Sequence, residues 1–362
     1  MRATNVRDAL RDLESLTARR DFQAVVTLGH SLLDRPCRPD DVAMIRFYVG
    51  QAHCRLVQPP EALACLPLAR EQFELRHDEL MAVDTLDWEA SARGLLEDPA
   101  ALALEAHALA RCRELEPRPR QLEARILCHV ANMHVVRRSW SSAITHYEAA
   151  VEAANPVSDL LQLAKIHHGL GIAYERSGQP ATARPHLDRA LALYSIESDL
   201  SGLYRVENDL GDLLLREGHV EAAERHFLKA LAGADELNIT RRGRGFMLAN
   251  LGDVCARQGR RDEARLYLNQ AVAAGRTFGE RTVVADAEML LGGLDEKVGN
   301  HPSADAHYLA AIRSLEEAEM PNRLRDCRVE YAQVLEDRGD LQAAFRQLRL
   351  AVATESAATE TG

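Results

Sequence analysis

No run of apolar residues in this 362-residue chain approaches the roughly 18 that a membrane-crossing helix needs. Contact with a membrane is therefore not expected. The first residues, Met1 to Asp8, lack the apolar core of a signal peptide, so secretion by that route is not expected either. Basic residues are outnumbered: 44 Lys and Arg stand against 55 Asp and Glu, a net charge of −11. Direct nucleic-acid binding usually rests on a basic face, so it is not expected here. The seven cysteines (Cys37, Cys54, Cys65, Cys112, Cys128, Cys255 and Cys327) are odd in number and never paired as C-x-x-C. Their scatter suggests reduced, mostly buried thiols in a cytoplasmic protein. Prolines and glycines are few, 13 and 21, and fall largely at turns, against a disordered chain.

What the chain has is repetition. Leu210-Gly211-Asp212 is followed by Gly218, Ala223, Phe227 and Ala230. At the same offsets, Leu251-Gly252-Asp253 is followed by Gly259, Ala264, Leu268 and Ala271, 41 residues on. Leu170, Gly171, Tyr174, Gly178, Ala183, Leu187 and Ala190 repeat the pattern, as do Leu291, Gly292, Gly299, Ala304, Tyr308 and Ala311. Residues 50, 91, 131, 171, 211, 252, 292 and 332 occupy equivalent places, 40 or 41 apart throughout. Each copy contains two helices with a tight turn at a Gly between them. The second helix places a small, a large and a small residue at i, i+4 and i+7, on one face.

This pattern resembles the tetratricopeptide repeat family, with Leu at position 7 of the repeat, Gly at 8, an aromatic at 11, Gly at 15, Ala at 20, an aromatic at 24 and Ala at 27. The family's usual period is 34, so longer helices or longer links are needed. The resemblance implies an all-α fold, an α-solenoid of about nine tandem helix-turn-helix repeats forming a right-handed superhelix. One solenoid is expected over 1–353, with repeats near 5–34, 43–74, 84–115, 124–155, 164–195, 204–235, 245–276, 285–316 and 325–352, then a flexible tail over 354–362. The long, degenerate repeats are similar to the sensor regions of bacterial regulators.

Two repeats fit poorly. The first has Asp12 at position 8, and its second helix is expected to pack through Ala24 and Leu28. The third has Ser91 in place of Gly, with Ala103, His107 and Ala110 expected on its packing face. Trp88, on its first helix, reads as a core filler. Pro36 to Pro39, Glu116 to Pro119, and Asn155-Pro156 read as links that break helices.

No catalytic constellation emerges, and an enzyme is not expected. The glycines are spread along the repeats and form no phosphate-cradling loop. His129 and His134 are five apart and diverge on a helix, as do the adjacent His167 and His168, so no metal site and no cofactor are expected. The resemblance implies that first helices line a concave groove, with positions 2, 5, 6, 9, 12 and 13 facing a ligand. Position 13 carries Arg176, Arg216, Arg257 and Lys297. Asp212 and Asp253 stand at position 9, with Asn132, His168, Asn208 and Asn250 nearby. Cations and amides so arranged suit an extended peptide with acidic groups. Yet Asp212 with Arg216, and Asp253 with Arg257, are also i, i+4 pairs that support a helix without any ligand. Position 5 supplies no Lys-plus-Asn clamp, against a chaperone-tail adaptor. Arg241, Arg242 and Arg244 form a small basic cluster between repeats six and seven.

The expected function is a non-enzymatic scaffold that binds a protein or extended peptide. Two alternatives stand beside it: a peptide-responsive sensor whose output lies on another chain, and a regulator of enzyme turnover using Asp212 or Asp253. Oligomeric state is left open.

Overall fold

The computed structural model describes residues 6–96, 98–154, 159–236 and 243–360. Among them are eighteen α-helices and no strand. They group into two compact units, Met1–Leu193 and Tyr194–Gly362. The first contains α1 (Val6–Ala18), α2 (Phe22–Leu33), α3 (Pro39–Arg55), α4 (Pro59–Leu75), α5 (Glu79–Leu95), α6 (Ala101–Glu114), α7 (Arg120–Val136), α8 (Trp140–Ala153), α9 (Leu160–Arg176) and most of α10 (Pro180–Ile196). The second contains the end of α10, then α11 (Leu200–Arg216), α12 (Val220–Glu236), α13 (Arg244–Arg257), α14 (Arg261–Phe278), α15 (Arg281–Glu296), α16 (His301–Glu317), α17 (Pro321–Asp337) and α18 (Leu341–Glu360).

The long period is taken up in the helices. From α9 to α12 every helix has 17 residues, and the links between them are three residues each. Links this short force consecutive helices to lie antiparallel and adjacent. At the turn inside each of the last five repeats, Gly178, Gly218, Gly259, Gly299 and Gly339 take φ between 76° and 85°, the left-handed region where a Cβ is costly.

Each repeat closes on one contact. A Cβ added at Gly50, Gly171, Gly211, Gly252 or Gly292 would lie 2.5–2.9 Å from Leu66, Leu187, Phe227, Leu268 or Tyr308 respectively. Position 8 therefore has no side chain because position 24 fills its space. The flanking alanines, Ala183 with Ala190, Ala223 with Ala230 and Ala264 with Ala271, are fully buried.

The two weak repeats keep the rule in a shifted register. In α2 the buried face is Val25, Gly29 and Leu32, one residue on from the expected Ala24 and Leu28. A Cβ on Gly29 would collide with Val49, which explains why the shifted register is the one that closes. In α6 the expected Ala103, His107 and Ala110 are exposed. The buried triad is Ala101, Glu105 and Ala108, two residues earlier at the same spacing. The segment expected as a flexible tail is helical as far as Glu360, in keeping with its alanine and glutamate content. Asn155-Pro156, Arg241 and Arg242 lie outside the described residues.

A second inter-helix clasp recurs 19 residues apart, from position 4 to position 23. His167 meets His186 at 3.0 Å, Glu207 meets His226 at 2.5 Å and Glu288 meets His307 at 2.6 Å. In the last repeat Arg328 donates to Gln347 at 3.1 Å. Burial, reinforced by the neighbouring His186, pulls His167 down to about 4.

Candidate functional site

The expected ligand row divides between the units. In the second unit the first helices α11, α13 and α15 touch in sequence and make one face. Arg216 pairs with Asp212, and Arg257 with Asp253, each at 2.9 Å, one helical turn apart. The Arg257 guanidinium is held above its usual range by Asp253, with Asp212 adding to the effect from the adjoining helix. Asn250 donates to Asn208 at 3.2 Å, an amide bridge between the same two helices. The two arginine side chains are still 51% and 49% exposed. Lys297, the C-cap of α15, is exposed as well.

In the first unit Arg176 is exposed at the end of α9, but His168 is buried at 3%. Asn132 accepts a bond from the Tyr147 hydroxyl at 2.5 Å, which ties it to the packing of its own repeat. Arg176, Arg216 and Arg257 are each the last residue of their helix. There a cation also complements the partial negative charge of the helix end, by about 0.3–1 kcal/mol.

A buried polar cluster lies elsewhere, between repeats three and four. Position 24 of repeat three, filled by leucine, phenylalanine or tyrosine in the regular repeats, is Glu105. Its side chain is fully buried and neither carboxylate oxygen receives a hydrogen bond. Asp87 of α5, also fully buried, faces it. His129 Nδ1 of α7 is 2.8 Å from Asp87 Oδ1 and 3.7 Å from Glu105 Oε1. Arg125, one turn before His129, donates through Nε to Asp87 Oδ2 at 2.7 Å and through Nη2 to Asp84.

Burial opposes ionisation of Asp87, but His129 and Arg125 outweigh it and hold that carboxyl well below its usual range. Glu105 goes the other way, raised by burial and by the nearby Asp87. Trp88 is part of the core, as expected, and also carries Arg55 and Arg125 over its ring at 4.6 and 5.0 Å. Beside this cluster opens a cavity of about 450 Å³, lined among others by Ser91, Asp98, His129, Asn132, Met133 and Arg137.

The Tetratricopeptide repeat family model matches residues 122–195 and 203–277. Over these residues the chain carries tetratricopeptide repeats. The contact of position 8 with position 24 extends the tetratricopeptide construction beyond those segments, to Gly50 with Leu66 and Gly292 with Tyr308. No curated protein matches the chain. Among solved structures, the apo form of the quorum sensor NprR from B. thuringiensis is similar over 97% of this chain and 98% of its own, at 14% identity and a TM-score of 0.69. A Rap protein complexed with competence and sporulation factor is similar over 99% of each chain, at 13% identity and a TM-score of 0.68. Aspartyl phosphate phosphatase F from Bacillus subtilis is similar over 98% of this chain and 95% of its own, at 14% identity and a TM-score of 0.64. At these identities the likeness is one of fold. Among the described residues, no helix is long and apolar enough to cross a membrane.

Proposed function

We propose that the chain is a non-enzymatic scaffold that binds a protein or an extended peptide on the face made by the first helices of its repeats. The observation that carries this reading is the state of Arg216 and Arg257: each stays about half exposed after pairing with its own aspartate. An acidic group on a ligand can therefore reach both guanidiniums without first breaking a buried pair. Asn208 and Asn250 alongside offer amide groups to a peptide backbone. Lys297 belongs to the same face. In the first unit, Arg176 and Asn132 stand on first helices of their own repeats, whereas His168 would act only from beneath the surface.

The test is a panel of extended acidic peptides offered to the wild-type chain and to the double variant Arg216→Glu, Arg257→Glu. A peptide bound by the first and weakened at least about tenfold in the second, with the helical circular-dichroism signal retained, supports the reading; two charge-assisted contacts of this kind account for such a loss. Equal binding by both refutes the role of these arginines.

A second reading is a peptide-responsive sensor whose output lies on another chain. It is favoured by the end-to-end likeness to a quorum sensor and to a Rap protein bound to competence and sporulation factor. A ligand-induced change in small-angle scattering would support it over a static scaffold.

A further inference from the structure

The cluster around Glu105 does not belong to the proposed peptide face, and its chemistry is different. Asp87, Glu105 and His129 each present one ligating atom, and the three atoms lie within 4.8 Å of one another. His129 Nδ1 is 2.8 Å from one carboxylate and 3.7 Å from the other. Atoms around a tetrahedral zinc, at bond lengths of 2.0–2.2 Å, stand roughly 3.3–3.5 Å apart. The two separations from His129 bracket that value, and the two carboxylate oxygens lie within 4.8 Å of each other.

A group of acids alone would show little. The second observation is Glu105 itself: fully buried, in a place otherwise filled by an apolar side chain, with both oxygens lacking a hydrogen-bond donor. The nearby cation Arg125 is already committed to Asp84 and to the far oxygen of Asp87. Arg125 therefore gives Glu105 no hydrogen bond, and it holds Asp87 with its other oxygen turned towards His129. An orienting bond of this kind to a ligating carboxylate is what metal sites use to fix their ligands.

We propose that Asp87, Glu105 and His129 bind a divalent cation of the zinc class through one imidazole nitrogen and two carboxylate oxygens. The donor set suits zinc or manganese better than magnesium or calcium, because one ligand is an imidazole. Each ligand atom that carries a proton, on the imidazole or on a carboxyl, gives it to water as the ion binds. His129 also lines the adjoining cavity, which gives the ion an entry path and a place for a water as fourth ligand.

The test uses the full chain freed of metal with a chelator. Zinc is titrated by calorimetry, and cobalt is added separately as a spectroscopic probe. The expected result is one zinc per chain, a raised melting temperature, and a cobalt spectrum without thiolate-to-metal charge transfer. Glu105→Gln and His129→Gln should each weaken zinc binding at least about tenfold, the loss that even an outer-shell partner can bring. Should His129→Gln fail to fold, Glu105→Gln decides, since it keeps the shape and removes only charge. Three results overturn the proposal: no stoichiometric uptake, uptake undiminished in Glu105→Gln, or a thiolate band showing the ion on cysteines.

Discussion

Val57 takes φ = 57° at the turn position that glycine holds in the regular repeats. A β-branched residue is strained there, and at 67% exposure its side chain packs on little. Val57→Gly should raise stability by about 0.5–1 kcal/mol, net of the entropy glycine adds to the unfolded chain. A shift of the urea midpoint to higher concentration would show it; a shift the other way would mean the turn is not strained. Glu105 makes the opposite kind of exception, a carboxyl group where the fold asks for apolar bulk. Glu105→Leu should stabilise the metal-free protein by about 1–3 kcal/mol, the cost of a buried group without a partner. A melting temperature at or below wild type would show that the carboxylate is satisfied in the folded state.

Helices are the scale at which the sequence was most legible. Gly at position 8 and a large residue at 24 could be paired from spacing alone, because the contact is steric and tolerates few residue types. The register of α6 was not legible for a specific reason. Its run Ala-Leu-Ala-Leu-Glu-Ala-His-Ala-Leu-Ala offers small residues at two phases, so both Ala101 and Ala103 could begin the triad. The wrong phase kept the glutamate outside and hid the cluster. His129 was likewise weighed only against other histidines, because its partner Asp87 comes from 42 residues away. The ion pairs at Asp212 and Asp253 needed only local spacing and stand as expected. At Ala264, which has no exposed surface, Ala264→Leu should cost about 1–3 kcal/mol by overpacking against its repeat, measurable as a lower urea midpoint. The His167–His186 clasp predicts a pH dependence. With a folded value near 4, below the ordinary 6.5, the folded state holds fewer protons than the unfolded one between those limits. Stability conferred by this clasp is therefore present above about pH 6.5 and lost as pH falls towards 4. Melting temperatures at pH 7 and pH 5 should differ more in wild type than in His167→Leu, which has the side chain that Leu127 and Leu248 present at the same position.

Among the described residues, the helices that pack closely are neighbours or next-neighbours in chain order. Stability in such a chain is a sum of repeat and interface contributions, so a local change is felt mainly by the adjoining repeats. The proposed peptide face and the proposed metal site lie in different units, Arg216 and Arg257 in one, Glu105 in the other. Variants at the two should therefore act additively on stability, as changes in separate compact units do.

The filling of the period by paired helices joined through short links, as from α9 to α12, has a mechanical consequence. A chain pulled from its ends has no distant strand or helix to hold a repeat shut once its neighbours let go. It should yield as a series of soft steps of similar height, each releasing roughly 13–14 nm of polypeptide for about 40 residues. Such a chain behaves under load as an extensible spring and recovers its length by local refolding when the load is removed.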